Sequence, residues 1–209
     1  MDILDLDIYN FPSEFDFHND QFPPLDALTY WHFLKGAKKV IEVGCGYSTY
    51  LAYKSKISVK AIDPCPRITY EGISYINDLV QNVNDSIFIE LEENDILFID
   101  SSHIYSLGSD VQYLLETILP KLKKGVIVHF HDYFGKFNYP TSWMQHNEMK
   151  HWNENEYLIS IEAKHEVLAY NYLISHLHNE ELINRYTFVP NNITRNLGAV
   201  RGASLWIKM

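Results

Sequence analysis

Residues 96–99, Ile-Leu-Phe-Ile, and 126–128, Val-Ile-Val, are apolar at every position. A strand with one wet face alternates apolar and polar residues. A strand with no polar position is buried on both faces, the hallmark of a parallel sheet covered by helices on each side. The segment between these two runs supplies such a helix. Val111, Leu114, Leu115, Ile118 and Leu122 recur at helical spacing, with Ser109 placed to cap the start and Gly125 the end. Upstream, Lys39–Val43, Val59–Asp63 and Ile73–Ile76 read as strands, and 25–36, 47–54 and 84–93 as helices. Strands alternating with helices argue for an open α/β sheet. Beyond an aromatic and polar loop over 133–152, the pattern predicts a helix around 153–165, a strand over 165–170, a helix near 171–186 and a closing strand over 203–207. Gly198 and Gly202 frame the turn into that last strand.

Both apolar runs end in reactive groups. Asp-Ile-Leu-Phe-Ile-Asp-Ser-Ser-His ends in Asp100 and His103, and Val-Ile-Val-His-Phe-His-Asp ends in His129, His131 and Asp132. The two-residue period of a strand puts His129 and His131 on one face and Asp132 on the other. His129 lies deeper and reads as a hydrogen-bonded structural histidine. In open α/β sheets ligands bind beyond the carboxyl ends of the strands, where the strand order reverses. Asp100, His103, His131 and Asp132 are therefore expected to meet as a reaction site. The stretch Glu-Val-Gly-Cys-Gly-Tyr-Ser-Thr, residues 42–49, also joins a strand to a helix, and its glycines let a ligand approach the backbone. Asp63 ends the next strand 17 residues after Gly46, where a carboxylate takes ribose hydroxyls in nucleotide-type folds. The dinucleotide fingerprint G-x-G-x-x-G is not met, because Thr49 stands at the third glycine, which counts against NAD.

Composition narrows the function further. The 209 residues, 46% hydrophobic, fit a single domain over 1–209, with 1–36 as an N-terminal segment and helix packing over the site. A formal charge of −10 with no dense Lys/Arg cluster argues against nucleic acid as a partner. No run approaches a membrane span, the acidic N-terminus is unlike a signal peptide, and two cysteines make no disulfide scaffold, so the expectation is a cytoplasmic protein. Cys45 and Cys65 read as small neutral residues rather than a redox pair. His18, Asn19 and the loop containing Tyr139, Trp143 and Trp152 are placed to cover a substrate, and His176 and His178 to face solvent.

The glycine turn resembles motif I of class I S-adenosylmethionine-dependent methyltransferases. The blocks VKAIDPCPR, NDILFIDSSHIY, LPKLKKGVIVHFHDYF, YPTSW, WNENEYL and GASLWIKM follow one another as in the methyltransferase-24-type family of that class. The resemblance implies a Rossmann-like, seven-stranded, mostly parallel sheet in the order 3-2-1-4-5-7-6, strand 7 antiparallel, with helices on both faces. It implies that Glu42, Gly44, Gly46, Ser48 and Thr49 line the amino-acid end of the cofactor, that Asp63 holds its ribose, that Asn77 or Asp78 lies near its adenine, and that Asp100 and Ser101 touch it. The block over 152–158 is one residue longer than the family's, which leaves Glu154 and Glu156 both open as its glutamate. The implied activity is methyl transfer to a hydroxyl of a small-molecule or sugar-containing acceptor, with Asp100, His103, His131 and Asp132 catalytic. Position in the sheet also suggests a divalent metal, Mg²⁺ or Mn²⁺, on Asp100, His131 and Asp132. A homodimer is compatible with such a chain. Two alternatives stay open: a non-catalytic cofactor- or partner-binding member of the fold, and a metal-dependent enzyme of other chemistry.

Overall fold

The computed structural model describes residues 6–19, 21–186 and 201–209. Gly198 lies outside the described residues. The seven strands among them are β1 (Lys39–Val43), β2 (Ser58–Ile62), β3 (Ser74–Ile76), β4 (Ile96–Ile99), β5 (Ile127–Phe130), β6 (Glu166–Tyr170) and β7 (Leu205–Lys208). They form one sheet in the order β3-β2-β1-β4-β5-β7-β6, as the resemblance implies. β1 to β5 pair in parallel, and β7 runs antiparallel to both neighbours.

The apolar runs behave as their composition requires. Ile96 and Phe98 enter a core on one face of the sheet, shared with α1 (Pro24–Leu34) and α2 (Tyr47–Ser55). Leu97 and Ile99 enter the core on the other face, with Phe88 of α3 (Ser86–Ile89) and Val128 and Phe130 of β5. α1 is buried nearly all round, because the N-terminal segment covers its outer side: Phe15 and Phe17 are buried in the same core.

Three elements depart from the pattern read in the sequence. The predicted helix over 111–122 is one turn of α-helix, α4 (Asp110–Tyr113), a wide turn over Leu114–Ile118 and a tight turn over Leu119–Lys121. Pro120 has no N–H to continue the ladder, so the regular helix cannot run through it. The predicted helix near 171–186 is two, α7 (Asn171–Leu177) and α8 (Asn179–Arg185), broken at His178 where φ is −122°. The loop over 133–152 contains a tight turn, Gly135–Phe137, and a short helix α5 (Thr141–Met144) ahead of α6 (Glu154–Glu162).

Candidate active site

β1, β4 and β5 are adjacent and parallel, so their carboxyl ends open together. Gly44 is what lets β1 end so close to β4. Its φ is +91°, and a Cβ there would lie 1.9 Å from the carbonyl oxygen of Asp100. The cavity above these ends measures about 1200 Å³, beyond the ~300–1,000 Å³ of a typical single-ligand pocket. One side is walled by Gly44, Cys45, Asp63 and Leu79–Gln81, the other by Phe134, Trp143, Trp152 and Tyr172, with Asp100, His103, His131 and Asp132 on the floor.

The floor is a chain of alternating acids and imidazoles. His103 Nε2 lies 3.2 Å from Asp100 Oδ1 and 3.7 Å from Asp132 Oδ2, while its Nδ1 lies 3.0 Å from Glu154 Oε2. His131 Nδ1 lies 3.4 Å from Asp132 and 3.7 Å from Asp100, and its Nε2 lies 3.6 Å from Asp26. His103 and Asp132 both occupy the left-handed region, at φ 59° and 55°. That conformation costs a non-glycine residue roughly 1–2 kcal/mol and persists where surrounding contacts enforce it, often at functional sites.

The start of α6 supplies those contacts for His103. The His103 carbonyl accepts from the N–H groups of Asn153 and Glu154, at 3.0 and 3.1 Å. Asn153 clasps the loop after β4, accepting from Tyr105 N–H and donating to Tyr105 O. Asn155 clasps the loop after β5, accepting from Phe134 N–H and donating to Gly135 O. Three consecutive residues thus fix the two loops that carry the site. Of the two glutamates there, Glu154 is buried against His103, and Glu156 is exposed.

Electrostatics follow from this packing. Burial works against the protonated form of His103, but Asp100, Glu154 and Asp132 outweigh it and raise the ring from 6.5 to about 10. Burial likewise opposes charge on His131, and Asp132, Asp100 and Asp26 again prevail and raise it. Asp100 is pushed up by burial and pulled down further by His131 and His103, to about 2. Burial raises Glu154 against the pull of His103. His129 behaves as expected of a structural residue: fully buried, stacked on Phe98, 2.8 Å from Ser204 Oγ, and lowered by burial so that it stays neutral.

A pH dependence follows. A folded-state value above the unfolded one makes the His103 contribution complete below 6.5 and lost as pH rises through about 10. The urea midpoint should therefore fall between pH 7 and 10, and Glu154→Gln should flatten that fall. An identical slope in the variant would remove His103 as its source.

Several expected cofactor contacts are placed differently. Cys45 N–H donates to Asp63 Oδ2 at 2.9 Å and Cys65 N–H to Asp63 Oδ1 at 2.7 Å, so Asp63 braces the glycine turn while facing the cavity. Ser101 lines the cavity, its buried hydroxyl without a protein partner. Glu42, Ser48 and Thr49 do not line it; they are buried beneath the turn, because strand alternation points Glu42 into the α1 face, where Tyr30 donates to it at 2.8 Å. Gly46 caps α2 rather than lining the cavity; its N–H donates to Thr49 Oγ1. Leu79–Gln81 line the cavity and Asn77 and Asp78 do not; Asp78 accepts from Leu79 N–H and Asn82 Nδ2. Asn19 reaches the cavity but His18 does not; Trp143 and Trp152 do, while Tyr139 is buried with its hydroxyl accepting from Asn155 N–H. His176 and His178 are both exposed as expected, and His176 also lines the cavity.

The expected metal set is also revised. Donor atoms of Asp100, His103 and Asp132 all lie within 4.8 Å of one another, with His103 in the place expected for His131. His131 faces the same two acids through Nδ1 and Asp26 through Nε2, outside that converging set. Asp26 was not singled out in the sequence, because an acid in the first turn of a helix ordinarily reads as a dipole partner.

Residues 41–133 match the family model described as a methyltransferase domain, Methyltransf_24. This segment of the chain is similar to a methyltransferase domain of this family. The matched segment runs from within β1 through β5 and takes in the glycine turn, Asp63, Asp100, His103, His131 and Asp132. Asp26 and Glu154 fall outside it. Comparison with curated proteins finds no match. No helix among the described residues is long and apolar enough to cross a membrane.

Proposed function

We propose that the chain transfers the methyl group of S-adenosylmethionine to a hydroxyl of a small-molecule acceptor, with a sugar-containing one among the class. The observation that carries this reading is the meeting of Asp100, His103 and Asp132 at the ends of β4 and β5, beside the glycine turn, in a cavity large enough for two ligands. Gly44, Cys45, Asp63 and Ser101 wall the cofactor side, and Trp143 and Trp152 the acceptor side.

Methyl transfer to oxygen forms one C–O bond, breaks one S–C bond and releases one proton with S-adenosylhomocysteine. Asp132 lies between both rings on the cavity floor and is placed to receive that proton. Four carboxyl groups, Asp26, Asp100, Asp132 and Glu154, surround two imidazoles. That surplus of acid, with an N/O donor set on converging atoms, fits a divalent cation of the Mg²⁺ or Mn²⁺ kind on Asp100, His103 and Asp132. When bound, such an ion supplies the Lewis acidity that lowers the pKa of the acceptor hydroxyl. Glu154 fixes the His103 ring with Nε2 toward the centre, the outer support that metal-binding histidines usually have.

The test is calorimetric titration of S-adenosylhomocysteine, first with EDTA and then with Mg²⁺ or Mn²⁺, followed by an acceptor screen with labelled S-adenosylmethionine. Micromolar binding is expected, with Asp63→Ala weakening it at least about tenfold, the scale of one lost charge-assisted hydrogen-bonding group. Stimulation of turnover by the metal, lost on chelation, is expected as well. Absence of binding under both conditions sinks the reading; binding and turnover indifferent to metal would remove the cation alone.

A further inference from the structure

Asp26 is a fully buried carboxylate on α1. Its Oδ1 accepts from Asn171 Nδ2 at 2.7 Å, and its Oδ2 accepts from Ala203 N–H at 2.8 Å and faces His131 Nε2 at 3.6 Å. Three separate parts of the chain are shaped around it. Gly202 has no Cβ, and one there would meet Asp26 Oδ1 at 2.7 Å and Asn171 Cβ at 2.9 Å. A buried acid is a poor structural choice, since desolvation costs several kcal/mol and a well-packed apolar residue is commonly as stable or more so. The imidazole it faces is His131, whose two ring nitrogens are buried without a hydrogen-bond partner of good geometry. His131 in turn lines the cavity and directs Nδ1 at Asp132 and Asp100.

The arrangement repeats what Glu154 does for His103. In each case an outer buried carboxylate faces one ring nitrogen, and the other nitrogen faces Asp100 and Asp132. Phe22, just ahead of α1, lies against the His131 ring at 5.6 Å between centroids.

We propose that α1 is a working wall of the reaction site and that Asp26 is the positioning residue for His131, holding its ring so that Nδ1 faces the reacting centre. The inference rests on the reading of Asp100, His103 and Asp132 as that centre, and it gives the N-terminal helix, outside the matched family segment, a role in turnover rather than in packing alone.

Asp26→Asn tests it, because a single amide oxygen cannot serve the three donors that the carboxylate faces. Asp26→Glu, which restores the carboxylate, is the companion variant. The full chain carries ¹³C-labelled histidine, and relaxation of the ring C–H groups is measured with S-adenosylhomocysteine present and absent. In Asp26→Asn the His131 ring should loosen, while the His129 ring, held by Ser204 and Phe98, stays rigid. With an acceptor from the screen, kcat should fall about 10- to 100-fold, the usual cost of losing a residue that orients a reacting side chain. KM for S-adenosylmethionine should stay within about twofold, and Asp26→Glu should recover part of kcat. An unmoved His131 ring overturns the inference whatever the activity. So does a loss shared equally by kcat, cofactor affinity and melting temperature, since that is the mark of packing alone. If the wild-type chain binds no S-adenosylhomocysteine, the methyl-transfer reading falls, and the ring measurement still decides whether Asp26 positions His131.

Discussion

Asp132→Asn is expected to bind S-adenosylhomocysteine within about threefold of the wild type and to lose turnover by roughly 10²- to 10⁴-fold, the range for a group that moves a proton in the transition state. The separation follows from where the residue sits. The side of the cavity proposed for the cofactor is Gly44, Cys45, Asp63 and Ser101, and the neighbours of Asp132 are instead the rings of His103 and His131. Asparagine suits the test because it keeps the shape and tolerates the left-handed backbone, φ 55°, which alanine does not. The change removes one negative charge from a floor that has acids to spare, so the fold should survive it. Calorimetry and single-turnover transfer on the same preparation decide the matter. If turnover stays within tenfold, or if cofactor affinity falls in step with it, Asp132 is not the proton's destination.

The strands and the floor of the site were legible because their signals are local. A run such as Ile96–Ile99 with no polar position can only be a strand covered on both faces, and a strand has to leave the core at one end. Asp100, His103, His131 and Asp132 stand where two such strands emerge, so their meeting required only that β4 and β5 be neighbours. What failed depended on contacts between distant segments. Nothing near Glu42 shows that Tyr30 will claim it, and nothing near Asp26 announces His131, 105 positions later. The hold on His103 is the same kind of contact, since Glu154 and Asn153, from the start of α6, keep it in its left-handed turn. The division of α7 from α8 and the wide turn before Pro120 are matters of helix geometry that apolar spacing does not resolve.

The two glycines of the turn after β1 should respond very differently to one methyl group. Gly44→Ala places a Cβ 1.9 Å from the Asp100 carbonyl oxygen, at a backbone φ of +91° that L side chains rarely adopt. The obstacle is main chain, so no rotamer relieves it, and β1 and β4 must separate where Asp100 N–H donates to Val43 O. A destabilisation of about 3–5 kcal/mol is expected, at the upper end of point substitutions. For a chain of this size that is a fall in Tm of roughly 6–20 °C. At Gly46 a methyl group would meet nothing within 4 Å, and its φ of −173° is one that any residue adopts. Gly46→Ala should therefore cost below about 1 kcal/mol, the loss of a good helix cap. Thermal melts of the two variants make the comparison, and equal shifts would mean that β1 and β4 do not close as tightly as the structure has them. The contrast also bears on chemistry. Any Gly44→Ala protein that folds must displace Asp100, so its residual turnover should fall further than its cofactor affinity, because the same residue whose carbonyl blocks the methyl carries the carboxylate facing His103.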